Sequence, residues 1–155
     1  MLERPSWNTY FMHLAEETAL RSKDPNTKVG ACLVKDKRVM SLGYNGAPRS
    51  FDDLLVPSSS DSNLPLIQNK NTFMVHAELN SILNFRGNLA ELNDSILYVT
   101  ISPCFECAKI LAQLGVKKII YKERYHREEC SMVAEYILRK CGVELIQFDK
   151  LEKEE

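Results

Sequence analysis

Long apolar runs are missing from this sequence. Its longest hydrophobic stretches are strand-sized, which excludes a helix long enough to span a bilayer. The first residues, MLERPSWNTY, bring charge and proline too early for the apolar core of a secretory signal. A charge surplus is missing as well: 20 basic against 21 acidic side chains leave a formal net charge of −1. That balance argues against a nucleic acid or an anionic membrane as partner, although a local patch for one small phosphate remains compatible with it. Cysteine is sparse and odd in number, five in 155 residues. This excludes a disulfide scaffold and fits a reducing, cytoplasmic setting. Apolar material is not lacking: at 45% hydrophobic, the chain can fill one core. It reads as a single domain over residues 1–155, with 149–155, ending in LEKEE, as a solvated tail.

The pattern along the chain is α/β. SWNTYFMHLAEETALRS places Trp7, Tyr10, Phe11, Leu14 and Ala15 at helical spacing behind Ser6 as N-cap, and DPN at 24–26 ends the helix. KVGACLV and VMSLGYNG flank the polar turn KDKR as a β-hairpin, with Val29, Ala31 and Leu33 alternating. Residues 50–72 are polar and without periodicity, a long loop of the kind that is usually functional when ordered. Beyond it, FMVHAELNSILNF predicts a helix ended by Gly87, and SILYVTI a buried strand. PCFECAKILAQLG predicts a short helix with Pro103 at its start and Gly115 past its end. KKIIY, then EECSMVAEYILRKCG closed by Gly142, then VELIQF give strand, helix and strand. A leading antiparallel hairpin followed by helical crossovers means a sheet covered by helices.

The chemistry is carried by two short segments. In SPCFEC, Cys104 and Cys107 lie three positions apart, so both sulfurs can face one point, and a helix N-terminus favours their thiolates. By itself the pair is equally a redox dithiol, half of a metal site or packing. VHAEL adds His76 and Glu78. In a regular helix these two diverge by about 200°, so they converge only if His76 precedes the first turn. Together, His76, Cys104 and Cys107 make three ligands for a tetrahedral zinc and leave one position open, the mark of a catalytic site. Two thiolates and a neutral imidazole balance the charge of Zn²⁺, and Glu78 is placed for general acid/base work rather than ligation.

H-x-E followed by P-C-x-x-C is the signature of zinc nucleobase deaminases. SKDPNTKVGACLV, GYNGAP, HAELNSI, LYVTISPCFECAKILAQLGVKKIIY and the Tyr125-His126 pair, from about Ser22 to His126, resemble the deoxycytidylate (dCMP) deaminases. The resemblance implies a three-layer α/β/α cytidine-deaminase-like fold, a five-stranded mixed sheet flanked by helices. It implies hydrolytic deamination of dCMP to dUMP and ammonia for thymidylate synthesis, with one Zn²⁺ per chain and Glu78 as the catalytic acid/base. Carried over residue by residue, Asn45 contacts the deoxyribose, Tyr125 encloses the nucleotide, and Ser102 lies beside the amino group of the base. Thr27 and Lys28 serve the phosphate end. The resemblance also implies a homohexamer, activated by dCTP with Mg²⁺ and inhibited by dTTP, with Arg49, Asp52 and Asp53 as effector contacts. Residues 47–75 contain no Cys or His, so no second zinc is expected.

Alternatives of other kinds remain. A tRNA adenosine deaminase would call for a basic docking surface, and a free-nucleoside deaminase needs no phosphate pocket. A non-catalytic zinc-binding relative, such as those named for bacterial competence operons, would have no use for Glu78. A thiol–disulfide oxidoreductase would not need His76. Cys32 and Cys141 read as packing residues and His13 as structural.

Overall fold

The computed structural model describes residues 3–151. Helix α1 (Trp7–Ala19) starts where expected, with the Ser6 hydroxyl accepting from the backbone N–H of Thr9. Its buried stripe is Phe11, Met12, Ala15 and Ala19. Trp7 and Tyr10, expected on that face, are largely exposed. Trp7 instead stacks on Phe11 and lies under the Lys37 ammonium, so ring-to-ring contact replaces burial in the core.

Strands β1 (Gly30–Lys35) and β2 (Arg38–Tyr44) form the hairpin. Lys35 pairs with Arg38, so only Asp36 and Lys37 make the turn, both at positive φ as a two-residue hairpin loop requires. The order β2-β1-β3-β4-β5 is completed by β3 (Ile96–Ile101), β4 (Lys118–Glu123) and β5 (Glu144–Gln147). β1 runs antiparallel to β2 and β3, while β3, β4 and β5 are parallel, linked by α3 (Phe105–Leu114) and α4 (Glu128–Lys140). β1 is covered on both faces. Ala31 and Leu33 pack toward α2 (Ala77–Asn84), α3 and α4, whereas Cys32 and Val34 pack toward α1. The predicted alternation is therefore only half of the strand's burial, and the result is the three-layer mixed sheet that the resemblance implied.

Three boundaries differ from expectation. Helix α2 stops at Asn84 because Phe85 turns extended and folds its half-buried ring against the core, three residues before the helix reaches Gly87. Pro103 precedes the N-cap of α3, which is Cys104, and so stands just outside the helix. The stretch expected as a solvated tail from residue 149 is helical as far as it is described: Phe148–Leu151 form a short helix α5, with Phe148 buried against the α1 side of the sheet and Leu151 packed beside it. Residues 152–155 of that tail lie outside the described residues. Cys141, expected to pack, is exposed at the α4 terminus, and His13 is exposed on α1.

Segment 50–72 folds into three 3-10 turns, Asp53–Leu55, Leu66–Gln68 and Lys70–Thr72. Asp52 and Asn69 cap the first and the last with their side chains. Along β2, the carbonyls of Leu42 and Tyr44 accept hydrogen bonds from the side-chain amides of Asn84 and Asn80. No helix among the described residues is long and apolar enough to cross a membrane.

Candidate active site

The site forms where α2 and α3 begin. His76 is the N-cap of α2, with extended dihedrals (φ −70, ψ 155), so its ring leaves the chain before the helical turn sets in. This is the geometry that lets His76 and Glu78 converge. The preceding Val75 is clamped to Gly46 by a reciprocal backbone pair, 2.7 and 3.1 Å. Gly43 lets α2 lie against β2: a Cβ there would come within 2.2 Å of the Ser81 nitrogen and 2.5 Å of the Ala77 oxygen. On the other side, β3 is followed by Ser102-Pro103, and Cys104 caps α3 in extended conformation with Cys107 one turn further on.

The two sulfurs each lie 3.5 Å from His76 Nδ1, and the three donor atoms are all within 4.8 Å of one another. A tetrahedral zinc with its usual bond lengths separates a sulfur from an imidazole nitrogen by about 3.6 Å. Both sulfur–nitrogen separations therefore suit Zn²⁺. A hydrogen bond from Cys107 holds Cys104 down to about 4, and the same bond pushes Cys107 above the ordinary thiol range. The hydrogen bond with Cys104 raises His76 to about 8. Glu78 is 4% exposed. Burial raises its proton affinity above that of an ordinary carboxylate, against the pull of the neighbouring His76.

A cavity opens over these groups. Asn45, Ser102, Tyr125 and Thr27 all line it, together with His76, Glu78 and Cys104. Asn45 is buried and pins the chain beneath it, its Oδ1 accepting from Val29 N (2.8 Å) and its Nδ2 donating to Thr27 O (2.9 Å). Ser102 Oγ accepts from Tyr125 N at 2.8 Å, which locks the end of β3 to the loop after β4. Lys28 is exposed and is not brought to this wall. In its place the cavity contains Lys70, ion-paired to Asp24 at 2.9 Å and contributed by the 50–72 segment. Neither residue belongs to a spacing motif, and they are far apart in the chain. The only hint in the sequence was that an ordered loop of this length usually serves a site.

A second cavity lies behind this wall and shares Asp24, Asn45, Lys70 and Met74 with it. Arg49 and Asp53 line it, but Asp52 does not, because its carboxylate caps the turn that follows. Asp53 is ion-paired to Lys23 at 2.9 Å.

Two cysteine sulfurs and an imidazole gathered at two helix starts, with a buried acid beside them under a cavity, form a donor set for zinc with a proton carrier at hand. The model of the cytidine and deoxycytidylate deaminase zinc-binding region matches residues 5–123, and the chain belongs to that family. It is 38% identical over 92% of its length to deoxycytidylate deaminase of Mus musculus, covering 79% of that protein. It is 33% identical to ComE operon protein 2 of Bacillus subtilis over 97% of this chain and 76% of the relative. Among solved structures, dCMP deaminase of the cyanophage S-TIM5 in complex with dCMP and dUMP aligns with a TM-score of 0.72 and 29% identity, over 94% of this chain and 99% of the other.

Proposed function

We propose that this chain hydrolyses dCMP to dUMP and ammonia, supplying dUMP for thymidylate synthesis. The observation that carries the reading is Glu78, a buried carboxyl with raised proton affinity beside the His76/Cys104/Cys107 donor set at the floor of the cavity. A purely structural zinc site has no use for such a group. Bound zinc supplies a water whose pKa is lowered toward ~7. Glu78 would carry the two protons of that water in turn, one to N3 of the cytosine ring and one to the departing amine, while the oxygen stays on C4, so that water is consumed and ammonia released. Its burial suits it to both directions of transfer. Ser102, whose oxygen accepts from Tyr125 N, presents its own O–H to the base. Asn45 retains one N–H and one lone pair for the deoxyribose after its two backbone bonds. Tyr125 closes the cavity over the nucleotide, and Thr27 lies toward the phosphate end.

The second cavity, with Arg49, Asp53, Arg21 and Lys23 on its wall, is our candidate for the effector dCTP with Mg²⁺, opposed by dTTP, in a homohexamer. The test of the reaction is ammonia release by zinc-loaded protein from dCMP, CMP, deoxycytidine and dAMP, with and without dCTP. We expect dCMP to be the preferred substrate. Preference for deoxycytidine or dAMP overturns this reading.

A further inference from the structure

Lys70 is a lysine that is only 7% exposed. Its ammonium has three N–H groups, and the protein acceptors that it reaches are the two oxygens of one carboxylate, Asp24 Oδ1 at 3.1 Å and Oδ2 at 2.9 Å. Asp24 Oδ1 also accepts from the backbone N–H groups of Asn26 and Thr27, at 2.9 and 3.1 Å. The carboxylate is thus locked in place, while the ammonium, which lines the cavity, keeps one N–H uncommitted among the described residues. Among the described residues, Lys70 is also the one lysine or arginine on the wall of the catalytic cavity, against two carboxylates, Asp24 and Glu78. With Lys70 removed, that wall would present acids and no permanent cation, a hostile surface for a phosphate dianion.

We propose that Lys70 is the specificity-determining residue that admits the 5′-phosphate of the substrate. Its charge cancels that of Asp24, and its remaining N–H is donated to a phosphate oxygen. This rests on the mononucleotide reading above. The role differs from that of a tie holding the 50–72 segment to the 24–29 loop, because a tie serves phosphorylated and unphosphorylated substrates alike.

The experiment compares kcat/KM for dCMP and deoxycytidine in zinc-loaded wild type, Lys70→Met, Lys70→Arg, Asp24→Asn and the double variant Lys70→Met/Asp24→Asn. Loss of a charged hydrogen bond inside a cavity predicts that Lys70→Met lowers the dCMP-to-deoxycytidine ratio by about tenfold or more. Lys70→Arg keeps most of the ratio, and Asp24→Asn does not lower it. The double variant leaves no lone carboxylate, so it keeps the measurement possible where Lys70→Met fails to fold, and there too the ratio falls below wild type. Proportional losses for both substrates in the lysine variants overturn the proposal, as does a fall in Asp24→Asn equal to that in Lys70→Met. Failure of the wild type to release ammonia from any cytosine substrate removes the deaminase reading instead. Calorimetric binding of dUMP against deoxyuridine on the same variants then decides the role of Lys70 separately.

Discussion

A carboxyl that must first accept a proton and then return it works best when neither form is strongly preferred, and burial moves Glu78 in that direction. Glu78→Gln is expected to bind zinc as the wild type does and to lose turnover by a factor of about 10²–10⁴. Metal analysis beside an ammonia assay checks both halves, and a near-normal rate would falsify the acid/base assignment. Asp24 supplies a prediction about pH. Burial alone would raise its pKa, but hydrogen bonds from Asn26, Lys70 and Thr27 outweigh it and leave the carboxyl below its ordinary value. The folded state therefore binds this proton less tightly than the unfolded chain. The stabilisation is fully present above about pH 3.9 and disappears as pH falls through the lower folded value. Thermal unfolding across the acid range should show a shallower loss of stability in Asp24→Asn than in wild type. At this scale the clustering of His76, Cys104 and Cys107 beside Glu78 was legible, because such a donor set needs fixed residue types at short spacing. Lys70 was not, since its partner lies on another element and only folding joins them. Lys28, at the entry to the hairpin, faces solvent.

Between elements, the site depends on how closely α2 lies against β2. Gly43 permits that approach, and its missing Cβ would clash with backbone atoms that have no rotamer to yield. Gly43→Ala should push α2 outward, cost about 1–3 kcal/mol and weaken zinc retention, because His76 travels with the helix. Denaturant unfolding and competition with a chelator measure the two effects, and a variant matching wild type in both would show that α2 is not held this way. The order of helices and strands could be read from periodicity, glycines and caps. Helix α2 could not be bounded correctly, because Phe85 leaves the helix to bury its ring, a tertiary gain that local propensity does not contain. The solvated tail was misplaced for the same reason: Phe148 and Leu151 follow the core they meet rather than the charges around them.

For the whole molecule, the metal and the regulation give the remaining predictions. The three donors come from the starts of α2 and α3, so zinc would tie together two helix starts that otherwise meet through core packing, and chelation should lower the melting temperature. An unchanged transition after verified zinc removal would mean that the metal contributes nothing to the fold. If the second cavity takes dCTP, dCMP kinetics should be sigmoidal and become hyperbolic with dCTP present; hyperbolic curves indifferent to either triphosphate would remove that role. The fold class was visible in the sequence as a whole, whereas the shared wall between the two cavities was not, since it is assembled from segments around residues 24, 45, 70 and 74. Assembly of copies is constrained by the pair of asparagines on α2. A strand at the margin of a sheet normally offers its carbonyl row as a template for recruitment, the route by which sheets extend across molecules and into fibrils. Asn80 and Asn84 have already claimed the oxygens of Tyr44 and Leu42. The β2 margin is thereby closed to growth at those positions, and copies that meet there must do so through side chains.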